Sequence, residues 1–513
     1  MSAQGKRVVV VGAGVGGLAA AARLARQGFD VQVFEKTRGP GGRCNQLQVD
    51  GFTWDVGPTI VLMPEVFEET FRALGRRIED FLTLVRCDPN YRVHFRDGSD
   101  ITFTSELCAM GRELERVEPG GFQRYLAFLA QGRDQYRISL DHFVGRNFEG
   151  VSDYCSPGVL ARIFKARAHR RMYADVSRFF QDDRLRAAMT FQTMYLGVSP
   201  FEAPAVYGLL PFTELGVGVW FPKGGLYAIP LALERLARAE GVALHYGRPV
   251  ERILTEGGRA TGVRLAGGDV VSADAVLCNA DLPYAYEKLL DPKDAPLKRG
   301  EKLRYTSSGY MLYLGMKRRV PGLLHHNVMF GRDYAGSFED IFRRFRVPED
   351  PSFYVNVPTR TDPSLAPEGK DSLYVLVPVP HQHPGLDWKV EGPQVRAKVF
   401  QRLAELGYPD LEADIEVERV FTPDDWAGTY NLARGSAFGL AQNFFQIGPF
   451  RPANVDPRVK NLFFVGASTQ PGTGLPTVLI SARLVTERLT AWARKQGVAL
   501  APREGVRAVE VAA

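Results

Sequence analysis

Cysteine is scarce in this chain: five residues among 513 (Cys44, Cys87, Cys108, Cys155 and Cys278), odd in number, scattered and without a CxxC pair. Neither a disulfide framework nor a cysteine-based structural zinc site fits that spacing, and a reducing, cytoplasmic compartment is the simplest expectation. A membrane-spanning helix is also lacking. The apolar run from Val8 to Ala25 is interrupted by glycines and by Arg23, and no other stretch reads as a span. Only six residues precede the first apolar strand, so no secretory leader is expected. Charge of one sign is in short supply too. The 64 Lys and Arg against 58 Asp and Glu leave +6, too little to argue for nucleic acid and compatible with an anionic membrane surface. There is no internal repeat and no low-complexity tract.

What is present begins at Arg7. Val8 to Val11 is a short apolar run of the buried parallel-strand kind, and Gly12, Gly14 and Gly17 follow as GxGxxG. The spacing predicts a helix from about Leu18 to Gln27, a stop at Gly28, and a second strand over Val31 to Phe34 that ends at Glu35. The first glycine permits a tight turn, the second lets a pyrophosphate approach the backbone, and the third lets helix and strand pack closely. The helix N-terminus aims N–H groups and partial positive charge at phosphates. Glu35 stands where a carboxylate accepts hydrogen bonds from a ribose hydroxyl. A dinucleotide-binding unit is therefore expected, and the absence of a second GxGxxG argues against a separate nicotinamide domain.

Further on, Gly39, Gly41 and Gly42 form a flexible loop before Arg43, which is read either as a phosphate contact or as a solvated surface arginine. Gly57-Pro58 marks a tight turn. Tyr91 to Phe103 reads as a hairpin turning at Asp97-Gly98, and helical periodicity runs from Phe122 to Phe143. A basic amphipathic helix is expected from Val159 to Phe180, with Arg162, Lys165, Arg167, Arg170, Arg171 and Arg178 on its charged part. Two readings stay open for it: lying in a membrane interface, or packing with a solvated basic face. Dinucleotide-domain material returns with a helix at Ile229 to Glu240 and strands at Val242 to Tyr246, Val250 to Leu254 and Ala275 to Cys278. Strands such as Met311 to Leu314, Phe353 to Val357 and Leu373 to Val377 predict an antiparallel sheet. Near the C-terminus, a strand over Leu462 to Val465 leads through a Gly- and Pro-rich loop from Gly466 to a helix starting near Pro476 or Thr477.

The opening motif together with VGAST-x-PGTGLP resembles the flavin amine oxidase superfamily, and within it the carotenoid (phytoene) desaturases. GFTWDVGPT (Gly51 to Thr59), WFPKGG, CNADLPYAY, RTDPSLAPEGKDSLYVLVPVP, TPDDWAGTYNLARGSAFGL and FRPAN resemble segments of that family, and the likeness covers about residues 7 to 490. Gln470 is a departure, since the family often has histidine there. The resemblance implies non-covalently bound FAD, a long apolar polyisoprenoid substrate, a membrane-associated enzyme that introduces double bonds, and a quinone or oxygen as electron acceptor. No cysteine lies beyond Cys278, so the C-terminal flavin loop offers no thiol for a covalent link.

The fold expected is α/β: a discontinuous Rossmann-like FAD-binding domain (1–90, 215–290 and 421–495), a hairpin and helical substrate- or membrane-facing region (91–214), a substrate domain of mixed antiparallel sheet and helices (291–420), and a tail (496–513). The cofactor contacts expected are Gly12, Gly14, Gly17, Glu35, Arg43, Gly57, Val250, Gly466, Thr477 and Val478. No catalytic residue is singled out, because hydride removal from an allylic carbon is work a flavin leads, and no metal site is expected. His381-Gln382-His383 reads as a polar loop rather than a metal site, and His325-His326, adjacent and so unable to share one face readily, as structural or substrate-domain residues. Lys223 sits either near the flavin or on a surface turn. Rivals are a carotenoid 3,4-desaturase, isomerase or ketolase, an amine oxidase, and a flavin-free prenyl-lipid carrier.

Overall fold

The four consecutive valines need a two-sided core, and the fold supplies one. The structure, a computed structural model, describes residues 6–148, 150–154, 156–295, 303–498 and 500; Cys155 and most of the expected tail lie outside the described residues. Strand β1 (Arg7–Val11) is central in a five-stranded parallel sheet. Helix α1 (Val15–Arg26) leads to β2 (Asp30–Phe34), which pairs with β1 in register Val8 to Val31. The other strands come from far along the chain: Ala243–His245 beside β2, then Ala275–Cys278 and Leu462–Phe464 on the other side of β1.

Val8 and Val10 face α1, the helix Ala228–Ala239 and the C-terminal helix Leu475–Lys495. Val9 and Val11 face Ile253, Val263 and Leu265 of a three-stranded antiparallel sheet (Val250–Glu256, Arg259–Leu265, Val270–Ser272). Both sides of β1 are thus removed from water, as parallel strands require. Ala19 to Ala22 are fully buried, and their small side chains allow α1 to approach its neighbouring helices closely.

A second, seven-stranded sheet runs in the order Ile415–Phe421, Ser308–Met316, Asp371–Val379, Phe353–Asn356, His326–Met329, Tyr91–His94, Asp100–Phe103. It is antiparallel except where Tyr91–His94 joins His326–Met329, so the early hairpin belongs to this sheet. The helix Trp388–Glu405 covers one face with Trp388, Val395, Val399 and Leu403. The hairpin Gln46–Val49/Phe52–Asp55 docks on the other side. There Trp54 Nε1 donates to Leu314 O at 3.3 Å, Tyr313 OH to Val56 O at 2.7 Å, and Tyr374 OH to Gly57 O at 2.8 Å.

One expected element is corrected. The basic helix from Val159 to Phe180 is not continuous: it is a helix Pro157–Lys165 and a short one, Met172–Val176. The chain breaks at Arg167, whose φ is +59°. Asp175 is the physical reason. It is 3 % exposed, and Arg167 and Arg178 each reach it at 3.0 Å, with Arg170 at 3.9 Å. Three of the six basic residues therefore neutralise a buried carboxylate instead of lining one helix face.

Candidate functional site

The glycines of the opening turn act by closeness. A Cβ on Gly17 would lie 2.3 Å from Gly12 O, and one on Gly14 would lie 2.7 Å from Asn279 Oδ1. Gly12 itself holds a φ of +98° that a side chain disfavours. The result is a cavity lined by Gly12, Gly14, Glu35, Arg43, Gly57, Val250, Gly466 and Val478 among others. Both ends of the chain meet here: a Cβ on Gly16 would be 3.0 Å from Val478 Cγ1. The first turn of α1 starts at Gly14 and that of the C-terminal helix at Gly474, and neither has a side-chain cap. Two helix N-termini thus face one cavity.

Two of the expected contacts do not line it. Gly17 lies behind the turn, where its N–H donates to Asn279 Oδ1 at 3.0 Å. Thr477 turns its hydroxyl back onto the loop, donating to Thr473 O at 2.6 Å and Gly474 O at 2.8 Å.

Glu35 is 7 % exposed and already engaged. Its Oε2 accepts from Ala13 N at 2.8 Å, and its Oε1 from Thr37 N and Oγ1, each at 2.9 Å. A carboxylate has about four acceptor sites, so this one retains capacity for another donor. Arg43 lies inside the cavity and donates to Ala437 O at 3.2 Å. Burial pulls the pKa of its guanidinium down, opposed by Asp281. Burial also pushes the Asp281 carboxyl up, opposed first by Arg43. A guanidinium with spare donors, two uncapped helix N-termini and glycine-walled backbone form a donor set that fits a diphosphate.

Three residues that sequence reasoning did not single out hold this geometry. Asn279 bridges the two ends of the chain: besides accepting from Gly17 N, its Nδ2 donates to Val465 O at 2.9 Å. Asp281 lines the cavity, accepts from Ala433 N at 3.1 Å and takes the Ser468 hydroxyl. Arg451, fully buried, donates to five carbonyl oxygens: Thr469 at 2.9 Å, Gln446 at 3.2 Å, Ala441 and Leu440 at 3.4 Å each, and Ala467. Burial lowers its pKa to about 10, and it clamps the loop that carries Gly466. The available signal was indirect: all three lie in CNADLPYAY and FRPAN, segments that carry the family resemblance.

The opposite wall comes from the seven-stranded sheet and is apolar, with Met311, Tyr374 and Leu376 joined by Phe438. Lys223 is exposed in its turn and does not line the cavity. Gln470 donates to Gly448 O at 3.0 Å. His383 stacks on Phe345 with ring centroids 4.6 Å apart, in a loop. His325 and His326 do come together, with ring centroids 4.2 Å apart. His325 precedes the strand that His326 opens, so it escapes the alternation expected of neighbours on a strand.

Residues 15–490 match the family of flavin-containing amine oxidoreductases. A zeta-carotene-forming phytoene desaturase of Myxococcus xanthus is 84% identical over 503 residues, covering 98% of this chain and 97% of its own. A phytoene desaturase of Phycomyces blakesleeanus is 41% identical, covering 94% and 85%. Among solved structures, an oxidoreductase from Methanosarcina mazei has a TM-score of 0.60 at 20% identity, covering 94% of this chain and all of that one. This last likeness concerns the fold alone. The cofactor is accordingly FAD, and the chain belongs to the phytoene desaturases of the flavin-containing amine oxidoreductase family.

Proposed function

We propose that this protein is an FAD-dependent carotenoid desaturase that takes phytoene to zeta-carotene, as its Myxococcus relative is named for doing. The 84% identity over nearly the whole of both chains carries this reading. When bound, FAD supplies hydride acceptance from an allylic carbon. In this assignment Gly12, Gly14 and the first turn of α1 receive the diphosphate, with Gly17 permitting the close packing. Arg43 adds a charge-assisted contact, and the spare capacity of Glu35 takes a ribose hydroxyl. Gly57, Val250, Gly466 and the start of the C-terminal helix at Leu475 and Val478 frame the rest of the cofactor. Met311, Leu376 and Phe438 hold the polyene by apolar contact and exclude water.

The second part of the proposal is a membrane surface as the source of substrate, with a quinone or oxygen as acceptor. No helix of the described residues is long and apolar enough to span a bilayer. Phe445 and Phe164 are nonetheless 76 % and 62 % exposed, with Leu160, Phe444 and Phe450 also exposed. The turn Gly448–Phe450 lies against Tyr154, just ahead of the helix that bears Leu160 and Phe164. Arg162 and Lys165 on that helix supply positive charge beside this apolar knob, the combination that favours anionic lipid surfaces. The test is to supply FAD, liposome-dissolved phytoene and a quinone and to identify the pigments by chromatography. Zeta-carotene is expected; unchanged phytoene refutes the assignment, and a later polyene refutes the stopping point.

A further inference from the structure

Cys87, His325 and His326 are all buried, and one ligand atom from each lies within 4.8 Å of the other two. None of them lines the flavin cavity. Cys87 ends the strand Leu84–Cys87, which pairs with Val219–Pro222, while the histidines sit at the start of a strand of the seven-stranded sheet. The three therefore meet at a seam between two sheets.

Their hydrogen bonding is incomplete in a specific way. His326 Nδ1 is held by Tyr354 OH at 2.6 Å, and His325 Nδ1 by Thr361 Oγ1 at 2.5 Å. The Nε2 atoms of both rings are buried without a hydrogen-bond partner, in residues 5 % and 2 % exposed. A buried polar atom left unpaired is destabilising, and here two occur side by side. An imidazole fixed through one nitrogen by a neighbour, with the other nitrogen open, is the arrangement of a metal-ligating histidine. Cys87 Sγ lies 3.7 Å from His325 Nδ1, the nitrogen that also meets Thr361, so the His325 ring must turn for its open Nε2 to face the sulfur. Ligand atoms around a metal with bonds of roughly 2.0–2.3 Å stand roughly 3.5 Å apart, so closing the site requires that ring rotation together with side-chain shifts of about 1 Å.

Charge selects the ion. The ligands bring a single negative charge, that of the thiolate. The neighbouring cation Arg360 is already matched by Asp371, at 2.9 and 3.0 Å. A monovalent cation leaves the buried site neutral, whereas a divalent one strands a positive charge in the core, which is expensive. Thiolate and imidazole suit soft ions. We propose that Cys87, His325 and His326 form a three-coordinate site for a soft monovalent cation, Cu(I). The Cys87 thiol gives its proton to solvent as the sulfur–copper bond forms, with no change in oxidation state. Phe221, on the strand paired with that of Cys87, contacts His325 with centroids 4.7 Å apart, so the metal ties this two-stranded sheet to the seven-stranded one.

The test uses flavin-loaded protein carrying Cys108→Ala, since that thiol is exposed. It is titrated anaerobically with Cu(I) buffered by bicinchoninate, then desalted and analysed for metal. One copper per chain is expected, lost in Cys87→Ala and held about tenfold more weakly in His326→Gln. Retained flavin absorbance reports that each variant is folded. X-ray absorption of the copper-loaded parent decides the matter even where a variant misfolds: one sulfur and two imidazole nitrogens are expected. No retained copper, a coordination shell without that composition, unchanged binding in folded Cys87→Ala, or equal retention of Zn(II) in a parallel titration overturns the proposal.

Discussion

Replacing Gly17 by alanine asks whether close packing of α1 on β1 holds the dinucleotide site. The added Cβ would lie 2.3 Å from the Gly12 carbonyl oxygen and 2.8 Å from Asn279 Oδ1. Non-bonded heavy atoms settle roughly 3.5 Å apart, so the helix must retreat by about 1 Å. Neither obstacle yields cheaply. Gly12 O is backbone, and Asn279 is fixed at both ends of its amide, by Gly17 N at 3.0 Å and Val465 O at 2.9 Å. Overpacking of this kind costs about 1–3 kcal/mol, and loss of the Gly17–Asn279 hydrogen bond adds about 1 kcal/mol. If about 2 kcal/mol of the total falls on the bound state, the FAD dissociation constant rises roughly thirtyfold. Flavin fluorescence titration of the apoprotein measures that constant, and the apoprotein thermal midpoint measures the remainder. The matched control is Gly428→Ala in the helix Pro423–Tyr430, where an added Cβ meets nothing within 4 Å. It removes the backbone entropy of glycine, so it stabilises by about 0.5–1 kcal/mol and leaves FAD affinity unchanged. A folded Gly17→Ala protein binding FAD within a factor of about two of wild type refutes the packing argument.

Glu214 is buried and accepts from Gln192 Nε2 at 2.9 Å; burial raises its pKa from 4.5 to about 7. Between those values the native state holds a proton that the unfolded chain has released. This group therefore removes stability as pH rises through the window, on the order of 3 kcal/mol in all. Glu214→Gln should flatten the fall in thermal midpoint from pH 5 to pH 7, leaving the share due to Asp55, also raised to about 7 by burial; an unaltered slope contradicts the assignment. Arg451→Lys replaces five donor contacts by at most three and strands buried carbonyls, so chemical denaturation should show a loss of about 2–4 kcal/mol with flavin release. Unchanged stability and flavin content would show that the loop does not depend on the clamp. Changing Phe164, Phe444 and Phe445 together to serine should reduce partitioning onto anionic vesicles at least about tenfold without lowering flavin content, and equal partitioning in sedimentation assays removes the membrane reading.

What the sequence makes legible is what the chain decides within a few residues of itself. The turn at Gly12, the helix that follows and the acid at Glu35 are local, because a φ of +98° and a run of small residues need no distant partner to be recognised. The strand pattern of the substrate sheet is equally local. Asn279 is different in kind: its amide matters because residue 17, 262 positions earlier, and Val465 return to it from both sides. No periodicity marks such a residue. Arg451 shows the same limit, since an arginine satisfied entirely by carbonyls resembles in sequence any surface arginine. The broken helix shows a third form of it. Six basic residues at helical spacing suggest one solvated face, and the pattern is overridden by Asp175, a carboxylate that can be buried only if cations converge on it. That convergence draws in Arg167 and Arg178 at 3.0 Å each, and helix geometry gives way at Arg167. Local pattern therefore reveals the glycine turn and the individual strands. The residues that close the cradle, and those that decide where a helix yields, are identified only once chain ends and buried charges have found their partners.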